Sequence, residues 1–298
     1  MKVAYFPGCV AQESGKELDM ATRAVAKVLD LELVEFPNFS CCGSGFIDET
    51  NEALNVAINA RNLAIAEKAG IQTIMTVCST CQGMLTHAKK VLAKDKIIKK
   101  RTDAALGKIG MKYSGTATPK HMLQLVVEDL GGAAKLKPLV KRPLKGLKVG
   151  AFYGCHLIRP HEIMEFDDPE YPHSFEDVIR ALGAEPVMYR GRVMCCGFPI
   201  QFVKPLSGEK LAGRQILDAK RNGADAMATS CPLCHLSLDT YQKESGKAVG
   251  ASLDMPVFHF PQLLGLAFGM DAKELGLPRH LVDTKSALEK LGAVKVPA

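Results

Sequence analysis

The sequence predicts an α/β protein of two repeated Rossmann-like domains with parallel sheets, related by internal duplication, with metal sites at the C-terminal ends of strands. Three observations carry this. Short apolar runs alternate with helical patterns, the order recurs in the second half, and all ten cysteines fall in two matching sets just past the runs. Strand–helix alternation favours parallel sheets with right-handed crossovers, and open sheets of this kind hold ligands beyond the carboxyl ends of their strands.

The elements follow in order. Val3 to Phe6 is an apolar run, and Ser14 with Glu17 reads as a capping box before the helical spacing of Leu18, Ala21, Val25 and Val28. Leu31 to Phe36 reads as a second strand ending at Pro37. Glu49 to Lys68 is helical through Leu54, Ile58 and Ile65 and stops at Gly70, where a left-handed cap is expected; Ile71 to Val77 is a third strand delivering Cys78. The second half repeats this: a strand at Leu147 to Tyr153, a helix opened by Ser174 and Asp177, a strand at Glu185 to Met188, a helix ending near Gly223, and a strand at Ala224 to Thr229 before Cys231.

Arg61, Gly70, Cys78, Cys81 and Leu85 recur 153 positions later as Arg214, Gly223, Cys231, Cys234 and Leu238. An internal repeat decides architecture before other signals do. It gives a first domain over 1–112, a linker with a helix over 113–147, and a second domain over 148–298. The spacing from the lone cysteine to the adjacent pair is 31 residues in the first copy and 39 in the second, the excess lying in the acidic segment His161 to Pro172. That segment reads as a solvated loop or, from its position beside a ligand, as a lip of the site or a partner surface.

Apolar content of 47% and charged content of 23% in 298 residues describe a globular chain able to bury a core. The N-terminus lacks a secretory pattern, and the most apolar late segment, Phe258 to Met270, is too short to span a bilayer. A cytoplasmic protein with at most peripheral membrane association is expected. The basic runs Lys89–Arg101 and Lys135–Lys148 read as exposed faces or as docking sites for an acidic partner subunit. Nucleic acid is disfavoured, because tryptophan is absent and aromatic residues do not interleave with the basic runs.

Cys9, Cys41, Cys42, Cys78 and Cys81 form one set; Cys155, Cys195, Cys196, Cys231 and Cys234 form the other. A disulfide framework belongs to small secreted domains, whereas thiolates suit soft metals and iron–sulfur clusters. Structural zinc and an ordinary cubane cluster each take four ligands, so the fifth sulfur asks for an unusual cluster or for a cysteine reserved for chemistry. Gly8, Gly43, Gly154 and Gly197 adjoin the cysteines and would let backbone approach a bulky cofactor. His156 and His235 each follow a cysteine directly and are candidate proton donors. No G-x-G-x-x-G fingerprint occurs, so neither flavin nor nicotinamide is expected on this chain.

The lone cysteine, Cys-Cys-Gly and Cys-x-x-Cys, present twice, resembles the cysteine-rich CCG domains of the heterodisulfide reductase B subunit and its relatives, over nearly the whole chain. The resemblance implies that each five-cysteine set holds a noncubane [4Fe-4S] cluster and that a disulfide is cleaved, or formed, between the two. Electrons would be exchanged with an iron–sulfur protein like the C subunit and a flavin protein like the A subunit of such a complex. Its relatives also include subunits accompanying succinate, fumarate, lactate or glycolate enzymes. A non-catalytic electron-transfer or anchoring subunit, with zinc replacing one cluster, is therefore the rival reading.

Overall fold

The computed structural model describes residues 1–292, so the last six residues of the expected second domain lie outside the description. The apolar run at the N-terminus becomes β1 (Lys2–Phe6), buried from Val3 onward as a central parallel strand must be. It pairs in parallel with β2 (Glu32–Glu35) on one side and β3 (Thr73–Thr76) on the other. The second half repeats this with β5 (Lys148–Phe152), flanked by β6 (Glu185–Val187) and β7 (Ala226–Thr229).

Each sheet also has a fourth strand that the sequence pattern did not supply. β4 (Thr118–His121) joins β3, and β8 (Val257–His259) joins β7, giving four-stranded parallel sheets ordered β2-β1-β3-β4 and β6-β5-β7-β8. The segment 113–147 therefore holds more than a linker and the helix Met122–Glu128; it completes the first sheet. Pro119 is tolerated because β4 is an edge strand, where a missing N–H need not break a ladder.

The glycine stops are found as expected. Gly70 has φ 71° and Gly223 φ 88°, with Ile71 N–H returning to Ala66 and Ala224 N–H to Ala219, each at 3.0 Å. Neither capping box forms. Helix Lys16–Val28 is preceded by Gly15, and Glu17 turns instead toward Arg279 in the other half at 3.2 Å. Ser174 is already inside helix Ser174–Ala181, whose first N–H groups are taken by Asp167 and the Tyr153 hydroxyl.

The two halves share one core. Helix Lys16–Val28 packs on helix Phe260–Ala267, and helix Ser174–Ala181 packs on helix Met122–Glu128, so the helix leading to the second strand of each half meets the helix after the fourth strand of the other. Tyr5, Leu18 and Val25 join Phe175, Phe260 and Leu263 in a continuous buried cluster. At about 1.5–3 kcal/mol for each large apolar side chain fully buried, this contact fixes the halves against each other. The segment Phe258 to Met270 is part of this core, and among the described residues no helix is long and apolar enough to cross a membrane.

Candidate metal centres

Strand ends place the cysteines. β1 runs into Pro7-Gly8-Cys9, β3 into Cys78, β5 into Gly154-Cys155, and β7 into Cys231, so both sets gather at the carboxyl edges of their sheets. Thr76 and Thr229, the last residues of β3 and β7, accept from the N–H groups of Cys78 and Cys231 at 3.3 and 3.4 Å. The buried strand end thus orients each Cys-x-x-Cys turn. At the first of these, Cys81 N–H donates back to Cys78 Sγ at 3.4 Å.

All ten thiols are free. In the first half they touch in sequence: Cys9 with Cys41, Cys41 with Cys42, Cys42 with Cys81, and Cys81 with Cys78. The second half repeats the order, Cys155 with Cys195, Cys195 with Cys196, Cys196 with Cys234, and Cys234 with Cys231. The buried ends of the two series meet, Cys78 against Cys231. Cys9, Cys41 and Cys195 lie at exposed mouths. Cys41 and Cys195 are held well below the ordinary thiol range, Cys41 by hydrogen bonds first from Cys42 and then from Cys9, Cys195 first from Cys155 and then from Cys196.

These pockets fit a sulfur-ligated inorganic group. Five soft donors converge in each, and the backbone makes room for more than thiols. A Cβ on Gly8 would lie 3.1 Å from Cys81 Sγ and one on Gly154 would lie 3.0 Å from Cys234 Sγ, both at positive φ. Gly43 and Gly197 act differently: their N–H groups donate to Cys41 Sγ at 3.5 Å and Cys195 Sγ at 3.3 Å. Such donors favour a negatively charged sulfur.

The side chains that hold the adjacent-cysteine turns were not anticipated. Asn55 and Asn59 both donate to the Cys42 carbonyl at 3.0 Å, and Asn62 brackets Ser40 through its N–H and its carbonyl. Their spacing puts all three on one helix face, a signal that was available in the sequence. In the second half Ser237 donates to the Cys196 carbonyl at 2.7 Å.

The two candidate histidines part company. His235 is buried, its Nε2 bonded to the Val257 carbonyl at 2.9 Å and its ring stacked on His259 at 3.8 Å. Burial, and next the neighbouring His259, push its pKa down. His156 instead lines a cavity of about 390 Å³ between the halves, with Asn55, Gly83, Met84, Arg159 and Met164. A second cavity, of about 670 Å³, opens on Cys9 and Cys41 beside Phe36 and Phe39. The acidic segment straps the first half: Lys90 pairs with Glu165 at 2.7 Å and donates to the Glu162 carbonyl.

Fold and pockets together define a duplicated α/β protein with a cysteine-rich centre in each half. The CCG cysteine-rich domain pattern matches residues 3–86 and 149–239, more than half of the chain. The chain belongs to this family, among the proteins with two such domains that resemble the heterodisulfide reductase B subunit. It is 38% identical over 280 residues to the 8-methylmenaquinol:fumarate reductase membrane anchor subunit of Wolinella succinogenes, covering 94% of this chain and 96% of that one. It is 34% identical over 296 residues to the B subunit of the ferredoxin/F420H2-dependent CoB-CoM heterodisulfide reductase of Methanosarcina acetivorans, covering 97% of each. A crystal structure of a hypothetical protein from Helicobacter pylori shares the fold at TM-score 0.77 and 16% identity, over 95% of this chain and 52% of that one.

Proposed function

We propose that this chain is the iron–sulfur catalytic subunit of a heterodisulfide reductase-like complex, an oxidoreductase acting on sulfur groups. The observation that carries the reading is the pair of five-thiol pockets whose buried ends meet at Cys78 and Cys231. Cys9, Cys41, Cys42, Cys78 and Cys81 would hold one noncubane [4Fe-4S] cluster, and Cys155, Cys195, Cys196, Cys231 and Cys234 the other. When bound, the two groups would supply one electron each to the two sulfurs of a disulfide, or accept them from two thiols. The chain's own contribution is to hold ten thiols at fixed places, to donate backbone N–H groups to Cys41 and Cys195, and to keep the base of each pocket away from water.

His156 is the better placed of the two histidines to deliver a proton to a product thiolate, because it faces a cavity while the His235 Nε2 is engaged by a carbonyl. Electrons would pass to and from partners resembling the C and A subunits, with flavin on a partner rather than here. A cytoplasmic location with at most peripheral membrane contact accords with the lack of a spanning helix among the described residues. A second reading is an electron-transfer or anchoring subunit of a fumarate reductase-type complex with one zinc site; the name of the Wolinella relative, a fumarate reductase membrane anchor subunit, favours its anchoring part.

Anaerobic metal analysis separates them. About eight irons and no zinc per chain support two clusters, while about four irons and one zinc support the rival. Loaded protein should then reduce a disulfide from an artificial electron donor. No turnover across a panel of disulfides, with no thiol-dependent EPR signal, would overturn the catalytic reading.

A further inference from the structure

The Cys-x-x-Cys turns differ in the two residues between their cysteines. The first half has Ser79 and Thr80; the second has Pro232 and Leu233. The hydroxyls do not serve their own half. Thr80 Oγ1 lies 3.7 Å from Cys231 Sγ, across the interface, and the buried Ser79 stands close to the same sulfur. A ligand thiolate carries no proton, so with a metal bound the hydroxyls must be the donors. Pro232 and Leu233 have no polar side-chain atom to return to Cys78.

The surroundings make this asymmetry specific. The threonines before the two turns, Thr76 and Thr229, engage their cysteine N–H groups alike. His121, at the end of β4 in the first half, lies with its Nε2 2.7 Å from the Ser230 carbonyl and so braces the Cys231 turn from the same side. The first half thus reaches across to the second turn with a ring and two hydroxyls.

We propose that Ser79 and Thr80 are positioning residues that raise the reduction potential of the C-terminal centre above that of the N-terminal one, making it the preferred resting place of the first electron. Hydrogen bonds to cluster sulfurs are among the levers that set such potentials, because they stabilise the extra negative charge of the reduced state. Reduction here adds one electron from the external reductant to a centre whose Cys231 ligand already has these donors in place. The inference rests on the two-cluster reading.

The test is a dithionite-poised redox titration of anaerobically purified full-length chain, followed by EPR, with iron counted on the same samples. Signals are assigned to a half by their perturbation in Cys155→Ser and Cys9→Ser. Thr80→Val keeps the shape and removes the hydroxyl. It should change the oxidised-to-reduced ratio of the C-terminal signal about tenfold toward oxidised at a fixed potential, about 59 mV for a one-electron couple, with the N-terminal signal unmoved. Ser79→Ala should act in the same direction. The converse variant, Leu233→Thr, supplies a hydroxyl at the matching position and should raise the N-terminal midpoint, which keeps the inference exposed if Thr80→Val loses metal. Retained iron with an unmoved C-terminal midpoint in Thr80→Val, or an unmoved N-terminal midpoint in Leu233→Thr, overturns the inference alone. Absence of iron from either half removes it together with the reading beneath it.

Discussion

Residues 41–43 and 195–197 form matching turns in the two halves, and the halves hold them by different means. In the first, amide side chains of helix Glu52–Lys68 reach the Cys42 carbonyl and both sides of Ser40. In the second, the positions of Asn55 and Asn59 are Gly208 and Ala212, and the turn lies directly on the helix Pro205–Arg221. A Cβ on Gly197 would stand 2.6 Å from the Gly208 carbonyl. One half positions its adjacent cysteines by amide side chains of the helix, the other by close backbone packing together with the Ser237 hydroxyl on the Cys196 carbonyl, yet the thiols touch in the same order. The sulfur arrangement is what the two scaffolds have in common, and the supports around it differ.

The largest difference is expected at the tyrosines of the first strands. Tyr5 bonds Asp19, which pairs with half-exposed Arg23 at 2.6 Å; Tyr153 bonds Glu176, which pairs with buried Arg192 at 2.7 Å. Breaking a buried pair leaves a charge without its partner. Arg192→Met should cost about 3–5 kcal/mol in chemical denaturation, while Arg23→Met should cost below about 1 kcal/mol because water already screens that pair. Equal losses would erase the distinction between a buried and a solvated brace. Burial raises the Glu176 pKa, so the Arg192→Met penalty should shrink on acidification as the orphaned carboxyl takes a proton.

Much of this organisation was legible in the residues. Apolar runs ending at Gly-Cys or Cys marked the central strands, because a parallel strand buried on both faces needs such a run and a turn beyond it. The fourth strands were not. Thr118-Pro119-Lys120-His121 reads as a loop, since proline and lysine have meaning only once its edge position is known. Val257–His259 merged with the apolar helix that follows it. The capping boxes failed because a box is a local pattern: Glu17 found Arg279, which is 262 residues away. The cysteine sets were visible in full, but the partners of Cys231 across the interface were not, as spacing within one half says nothing of what the other half brings.

A second comparison concerns the histidines that end the fourth strands. His121 and His259 both cap the helix that follows, and both are buried. His121 Nε2 meets the Ser230 carbonyl, whereas His259 Nε2 has no hydrogen-bond partner among the described residues and stands 3.6 Å from Glu17. Burial pushes the His121 pKa down to about 4. The unfolded chain therefore binds the proton first on acidification, and stability is lost as pH falls from about 6.5 toward 4, by about 3 kcal/mol for this residue. His121→Gln should remove that component, seen as a flatter dependence of the urea midpoint on pH. An unchanged slope would place the acid sensitivity elsewhere, with the second-half histidines first in line.

The smallest effect tests the amide supports themselves. Asn59→Ala removes one of two donors to the Cys42 carbonyl and leaves Asn55 in place, so the turn should loosen without collapsing, at a cost of about 1–2 kcal/mol. Gln215→Ala, at the position matching Asn62, removes a long 3.5 Å contact to the Cys195 carbonyl from a buried amide and should cost about 0.5–1 kcal/mol, less than Asn59→Ala. Iron per chain in anaerobic preparations gives the second reading: it should fall in Asn59→Ala through the N-terminal centre and hold in Gln215→Ala. If Gln215→Ala proved the more damaging, the second turn would depend on this amide as well as on the Ser237 hydroxyl. The contact of Gly197 with Gly208 would then be a consequence of that turn rather than its support.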